Sequence, residues 1–203
     1  MSDEFSFNRY SPNWDGKPVI QYYEGSDFVY VPVPKCASST MMFRLGIKKY
    51  PLETKENINK IQKEKFTIIR NPYSRLLSAW NGKLLKKLGS TITNIDGFYY
   101  GMSFKDFIFK LNDLPPNLME QHFAPYYTIL NGLNIKYYGK LEQFETDYTV
   151  LKTKYNLPES NKFHAITGVG KKFENYYDSE MYDIVNKIYE NDFIIFNYKM
   201  IKK

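Results

Sequence analysis

Short apolar, β-rich runs alternate along this chain with stretches whose apolar positions recur every three or four residues. Residues 28–33, FVYVPV, form such a run, bounded by Pro34, and read as a buried strand. Ser38 then offers a hydroxyl cap for a helix running to about Tyr50, with Pro51 as its stop. The same unit recurs. Residues 66–69 read as a strand, Asn71 as an N-cap, Pro72 as the first helical residue and Gly89 as the helix end. Leu76, Leu77, Trp80, Leu84 and Leu88 make the apolar stripe of that helix and leave Ser74 and Ser78 on another face.

Beyond it, residues 89–101 read as a long loop and 104–111 as a short helix, broken by Leu114, Pro115 and Pro116. A third strand is expected at 135–138, helices at 142–155 and 179–189, and a Gly/Lys loop at 168–172. Residues 1–26 lack periodicity and read as an irregular N-terminal arm. Strands alternating with helices predict an α/β fold, a single domain over residues 1–203 with a central parallel β-sheet flanked by helices.

Composition narrows the picture. With 203 residues, 43% hydrophobic and 18% aromatic, the chain is long enough to bury a substantial core. Its net charge of +6 suits an anionic partner, but lysine carries most of the excess and is usually spread over solvated surface. Arginine is scarce, and Arg70 and Arg75 stand close together. The single cysteine, Cys36, excludes an internal disulfide framework. The start MSDEFSFNRY lacks the basic and apolar regions of a secretory signal, and no apolar run approaches the ~20 residues that span a bilayer. A soluble, cytoplasmic protein is expected.

The candidate chemistry lies in the two strand-to-helix loops. A helix start following a strand presents free amides to an anion. In the first loop Lys35 adds a mobile charge, and Ser38, Ser39 and Thr40 add hydroxyl donors. In the second, Arg70 leaves the strand end and Ser78 follows two helical turns on. An ATP-binding P-loop needs glycines and a lysine beside the helix start, and PKCASST has neither arrangement.

These residues carry a family resemblance. PKCASST, residues 34–40, resembles the 5′-phosphosulfate loop of sulfotransferases, and IIRNPYSRLLSAW, residues 68–80, resembles their 3′-phosphate motif. The likeness is to the carbohydrate-type family of Golgi and bacterial enzymes. It continues more weakly through SFKDFIFKL, QHFAPYY, YYGKLEQFETDY and YENDFIIFNY, covering roughly residues 27–198. It implies a P-loop-like sulfotransferase fold and transfer of a sulfuryl group from 3′-phosphoadenosine 5′-phosphosulfate (PAPS) to a hydroxyl or amine of a carbohydrate or small molecule, leaving 3′,5′-adenosine bisphosphate (PAP). Carried over by position, Lys35 would hold the 5′-phosphosulfate and the leaving oxygen, with Cys36, Ala37, Ser38, Ser39 and Thr40 completing the cradle. Arg70 and Ser78 would clamp the 3′-phosphate. No metal is needed, because in-line displacement at sulfur calls for positioning, charge stabilisation and a base. Golgi members carry a membrane anchor and luminal cysteines that are absent here, so a Golgi location is not expected.

Other roles stay open at this level. His122 aligns with a family segment that offers a histidine near the acceptor, and Glu120 is the alternative base. Arg75, on the first turn of a surface helix, could make a structural ion pair or touch the cofactor. Cys36 would favour the thiolate if its loop were open to solvent. His164 has no motif around it, and the tyrosine pairs at 99–100, 126–127 and 137–138 read as packing residues. An ATP-dependent P-loop-like kinase and a basic nucleic-acid-binding module are the competing functions. The family reading itself implies neither nucleic-acid nor membrane partners.

Overall fold

A computed structural model describes residues 19–85, 97–158 and 172–202. In chain order the elements are β1 (Val19–Gln21), β2 (Tyr23–Glu24), β3 (Phe28–Tyr30), α1 (Ser38–Arg44), β4 (Leu52–Thr54), α2 (Lys55–Lys60), β5 (Glu64–Ile69), α3 (Pro72–Trp80), α4 (Phe104–Asn112), α5 (Tyr126–Leu130), β6 (Ile135–Lys140), α6 (Phe144–Tyr155), α7 (Ser179–Ile188) and α8 (Glu190–Ile195). The fold is mixed α/β with small sheets and helices. These residues group into two compact units, one of residues 19–70 and 130–158 and the other of 71–85, 97–129 and 172–202. Among the described residues no helix is long and apolar enough to cross a membrane.

The first unit holds both sheets. β1 and β4 form an antiparallel pair, and the larger sheet runs β2-β3-β5-β6. β2 is antiparallel to β3, whereas β3, β5 and β6 are mutually parallel, with Tyr30 opposite Phe66 and Ile69 opposite Lys140. From Lys65 onward β5 is buried at every position. A parallel strand covered on both faces therefore reads as a continuous apolar run rather than an alternation. Its one lysine, Lys65, is buried too and donates to the carbonyls of Ile61 and Lys63 at 2.9 and 3.2 Å. The core gathers Phe28, Tyr30, Met41, Phe66, Tyr148 and Tyr155, with the Phe66 and Tyr155 rings stacked at 5.4 Å.

In the second unit α3 begins as its sequence predicts. The Asn71 side chain accepts from the amides of Tyr73 and Ser74, and Pro72 sits where its missing N–H costs nothing. The helix continues as a π-turn over Asn81–Leu85. Gly89 and Leu88 lie outside the described residues, as do His164, residues 168–171 and residues 1–18 of the expected arm. Tyr73 is the hub of an aromatic core, its ring 5.1 Å from Tyr182 and 4.8 Å from Phe193.

The structure corrects several expectations. Residues 19–24 are not irregular; they form β1 and β2, too short to show a period before their partners are known. The ladder of β3 stops at Tyr30, although the Val31 amide still donates to the Phe66 carbonyl at 2.9 Å. Ser38 is not the cap of α1. Ala37 is, in a left-handed conformation and without a side-chain cap bond, which leaves Ser38 at the first helical position. Nor does α1 reach Tyr50. Gly46, at φ 68, turns the chain after Leu45, and the amides of Gly46 and Ile47 donate to the carbonyls of Phe43 and Met42. That is a Schellman stop, with glycine where positive φ is required. The elements β4, α2 and α8 were not anticipated. Tyr99 and Tyr100 are exposed rather than packed, while Tyr126 is buried.

Candidate active site

Parallel β3 and β5 bring the loops that follow them to one edge of the sheet, the usual ligand edge of an open α/β sheet. In the first loop Lys35 and Ala37 both adopt positive φ, 68° and 60°, without being glycine. A side chain in that region is strained by roughly 1–2 kcal/mol per residue, and such strain gathers at functional sites. Left-handed residues interleaved in a loop turn successive amides toward one concave side, the backbone arrangement that binds anions. The loop is held from within: the Cys36 amide donates to the Val33 carbonyl at 3.2 Å, and the Tyr50 hydroxyl donates to the Ser38 carbonyl at 2.6 Å. Cys36 is fully buried and Thr40 is buried, Lys35 and Ser38 are half-buried, and Ser39 is exposed. The Cys36 thiol is thus buried rather than open to solvent.

Arg70, the residue after β5, is 8% exposed and its Nη1 donates to the Lys35 carbonyl at 3.3 Å. The structure therefore brings together Lys35, its loop and Arg70. With seven residues α1 is short. The capacity of this edge for an anion rests on the loop backbone and two cationic side chains more than on a helix dipole. Ser78 stands half-buried on α3, in the second unit.

The second unit also contains the acid-base candidates, and there the two alternatives become partners. The Glu120 carboxylate lies 2.7 Å from His122 Nδ1 through one oxygen and accepts the His122 amide at 2.8 Å through the other. Glu120 is buried, and the His122 side chain is 19% exposed. A carboxylate on Nδ1 selects the tautomer protonated there and leaves the basic lone pair on Nε2. Glu120 thus contacts both the ring and the amide of His122.

Arg75 departs from its expected place. It is 1% exposed, not on a surface turn, and its Nη1 and Nη2 donate to the carbonyls of Ala124 and Gln121 at 2.7 and 2.9 Å. Its guanidinium carbon lies 4.6 Å from the centroid of the Tyr126 ring, within cation-π range. Fully buried Asp192 accepts the amides of Tyr126 and Tyr127 at 2.7 and 3.1 Å. Burial pushes its carboxyl up to about 6, against the pull of those amides and of Arg75. The hydroxyl of Tyr189, whose pKa burial also raises, donates to the Phe123 carbonyl. Asp192 and Tyr189 carried no sequence signal, since an acid in a helix's first turn reads equally well as a dipole partner.

One of the comparisons with known proteins gives a family. A family model described as the sulfotransferase family matches residues 22–199. No curated protein and no solved structure gives a match. A match over most of the chain, through both strand-to-helix motifs, shows that this chain belongs to the sulfotransferase family.

Proposed function

We propose that the chain transfers a sulfuryl group from PAPS to a hydroxyl or amine acceptor of carbohydrate or small-molecule type, using a P-loop-like sulfotransferase fold as one catalytic domain. The observation that carries this reading is the loop of residues 34–40, left-handed at Lys35 and Ala37 and touched by Arg70 through the Lys35 carbonyl. That loop is a backbone cradle with two cations beside it, and it suits a phosphosulfate. Bound PAPS supplies a sulfuryl group activated by a phosphate leaving group.

The chain's own residues then divide the work. Lys35 neutralises charge on the leaving oxygen, an interaction that strengthens as the bond to sulfur breaks. Cys36 holds the turn through its amide on the Val33 carbonyl, while the Ala37 amide and the groups of Ser38, Ser39 and Thr40 hold the phosphosulfate oxygens. Arg70 grips the 3′-phosphate, with Ser78 as a second donor on the strength of the motif alone. His122 takes the acceptor proton at Nε2, and Glu120 stabilises the imidazolium that results. The chemistry requires no metal.

Thermal stabilisation tests the reading, because a ligand that binds only the folded chain raises its melting temperature. PAP in EDTA should stabilise the protein, whereas Mg-ATP and single-stranded oligonucleotides should not. A shift with Mg-ATP alone would move the chain to phosphoryl transfer, and a shift with oligonucleotides alone to nucleic-acid binding. Labelled PAPS offered with sugars, phenols and hydroxylated lipids then identifies the acceptor class.

A further inference from the structure

Residues 120–127, EQHFAPYY, are gripped by buried polar side chains from other helices of the same unit. Arg75 on α3 takes two carbonyls, those of Gln121 and Ala124. Tyr189, between α7 and α8, takes the Phe123 carbonyl, and Asp192 on α8 takes the amides of Tyr126 and Tyr127. Within the segment, the amides of Phe123 and Ala124 both donate to the Glu120 carbonyl at 2.8 Å, closing a tight turn around His122. The carbonyls held by Arg75 thus belong to the residue just before His122 and to the residue two after it.

We propose that Arg75 is the positioning residue of the Glu120–His122 pair, fixing the turn from which the imidazole projects. A planar guanidinium can hold two carbonyls at a set separation, and lysine cannot, because its donors diverge from a single nitrogen. The turn's backbone amide at His122 is in turn tied to Glu120 Oε2, so a shift at Gln121 is transmitted to the carboxylate that sets the ring tautomer. The catalytic meaning of this inference rests on His122 being the proton acceptor.

The test uses the ring nitrogens directly and needs no acceptor. The chain has two histidines. The nitrogen-15 ring signals of His122 in labelled full-length protein are therefore identified by their loss in His122→Ala. Wild-type His122 should show the Nδ1–H tautomer, and Arg75→Met should shift it toward the mixture of free imidazole and move its titration midpoint, while the melting shift produced by PAP persists. Arg75→Lys, which keeps the charge and the aliphatic stem, serves if the Met variant does not fold, and should show the same change to a smaller degree.

Folded Arg75 variants with wild-type His122 signals and midpoint would overturn the proposal. So would a wild-type ring protonated at Nε2. Failure of the base assignment looks different: His122→Ala would then keep its rate of sulfur-35 transfer from PAPS to the best acceptor of the panel, whatever Arg75 does to the ring.

Discussion

The loop of residues 34–40 and the segment of residues 120–127 achieve the same end, a fixed geometry, by opposite means. In the loop the main chain itself is the device: Lys35 and Ala37 are left-handed, a backbone form that suits the anion cradle proposed for it. In the segment the main chain is ordinary, and buried side chains, those of Arg75, Tyr189 and Asp192, hold it by its carbonyls and amides. The difference follows from what each presents. An anion of several oxygens can be met by many weak donors along a backbone. A proton must be met by one atom, and orienting one imidazole needs support from outside its own short stretch of chain. Away from Lys35, the loop should therefore tolerate side-chain change and resist backbone change, and the segment should do the reverse.

The sharpest break of that comparison is at His122. His122→Ala should lose about 10² to 10⁴ in turnover, the range typical of removing a positioned base, while PAP affinity stays at the wild-type value. Glu120→Gln keeps the ring's neighbour in place but removes its charge and should lose less. Steady-state transfer of sulfur-35 from PAPS, with PAP titration calorimetry alongside, separates the two effects. If Glu120→Gln carries the larger loss, the carboxylate is the base and the ring its support.

Arg70→Ala comes next. Removing a charge-assisted contact to a doubly charged phosphate should weaken PAP binding by about 2 to 4 kcal/mol on calorimetry. Arg70 also touches the Lys35 carbonyl, so part of the loss should appear as a looser loop and a more unfavourable binding entropy. Unchanged PAP affinity in the folded variant would remove Arg70 from the site.

Both predictions use residues that the sequence exposed, and the reason is local. Lys35, Arg70 and Ser78 stand at fixed offsets from a strand end or a helix start, and strand ends and N-caps such as Asn71 are short-range features. The same holds for β5, α4, β6, α6 and α7, all expected within a few residues of their observed bounds. What the sequence hid was long-range. β1 and β4 are three residues each and exist because Val19 meets Thr54 across the chain. Arg75 reads as a surface residue until residues 46 and 49 positions away supply their carbonyls. The sequence reading takes Pro51 as the stop of α1, whereas the chain turns at Gly46. Likewise the left-handed backbone at Ala37 carries no glycine to announce it.

Asp192 gives the segment a pH dependence. Folded Asp192 holds its proton up to about pH 6, because burial opposes the charge, whereas the unfolded chain releases it near the ordinary carboxylate value of 3.8. The folded chain thus binds more protons across that window, and this group's contribution to stability falls as pH rises through it, by up to about 3 kcal/mol. Asp192→Asn cannot titrate. Measured by urea unfolding, it should gain on the wild type steadily from about pH 4 to about pH 6 and hold a constant difference above that. A difference independent of pH would mean that Asp192 is ionised in the folded chain throughout.

The smallest expected effect probes the loop from the other side. Ala37 sits at φ 60 and ψ 20, where a Cβ costs roughly 1 to 2 kcal/mol and glycine costs nothing. Ala37→Gly removes that strain but adds freedom to the unfolded chain worth about 0.4 to 1 kcal/mol, so the folded protein should become more stable by about 0.5 kcal/mol. PAP affinity should move in the opposite direction, because a glycine loop samples other conformations and must be ordered on binding. Stability and affinity changing with opposite signs, read by urea unfolding without PAP and calorimetry with it, is what a strained, pre-organised cradle requires. If the variant gains stability and binds PAP as tightly as the wild type, the strain at Ala37 serves the fold of the loop alone. If it loses both, Ala37 is held by packing rather than by its backbone, and the contrast with the segment of residues 120–127 disappears.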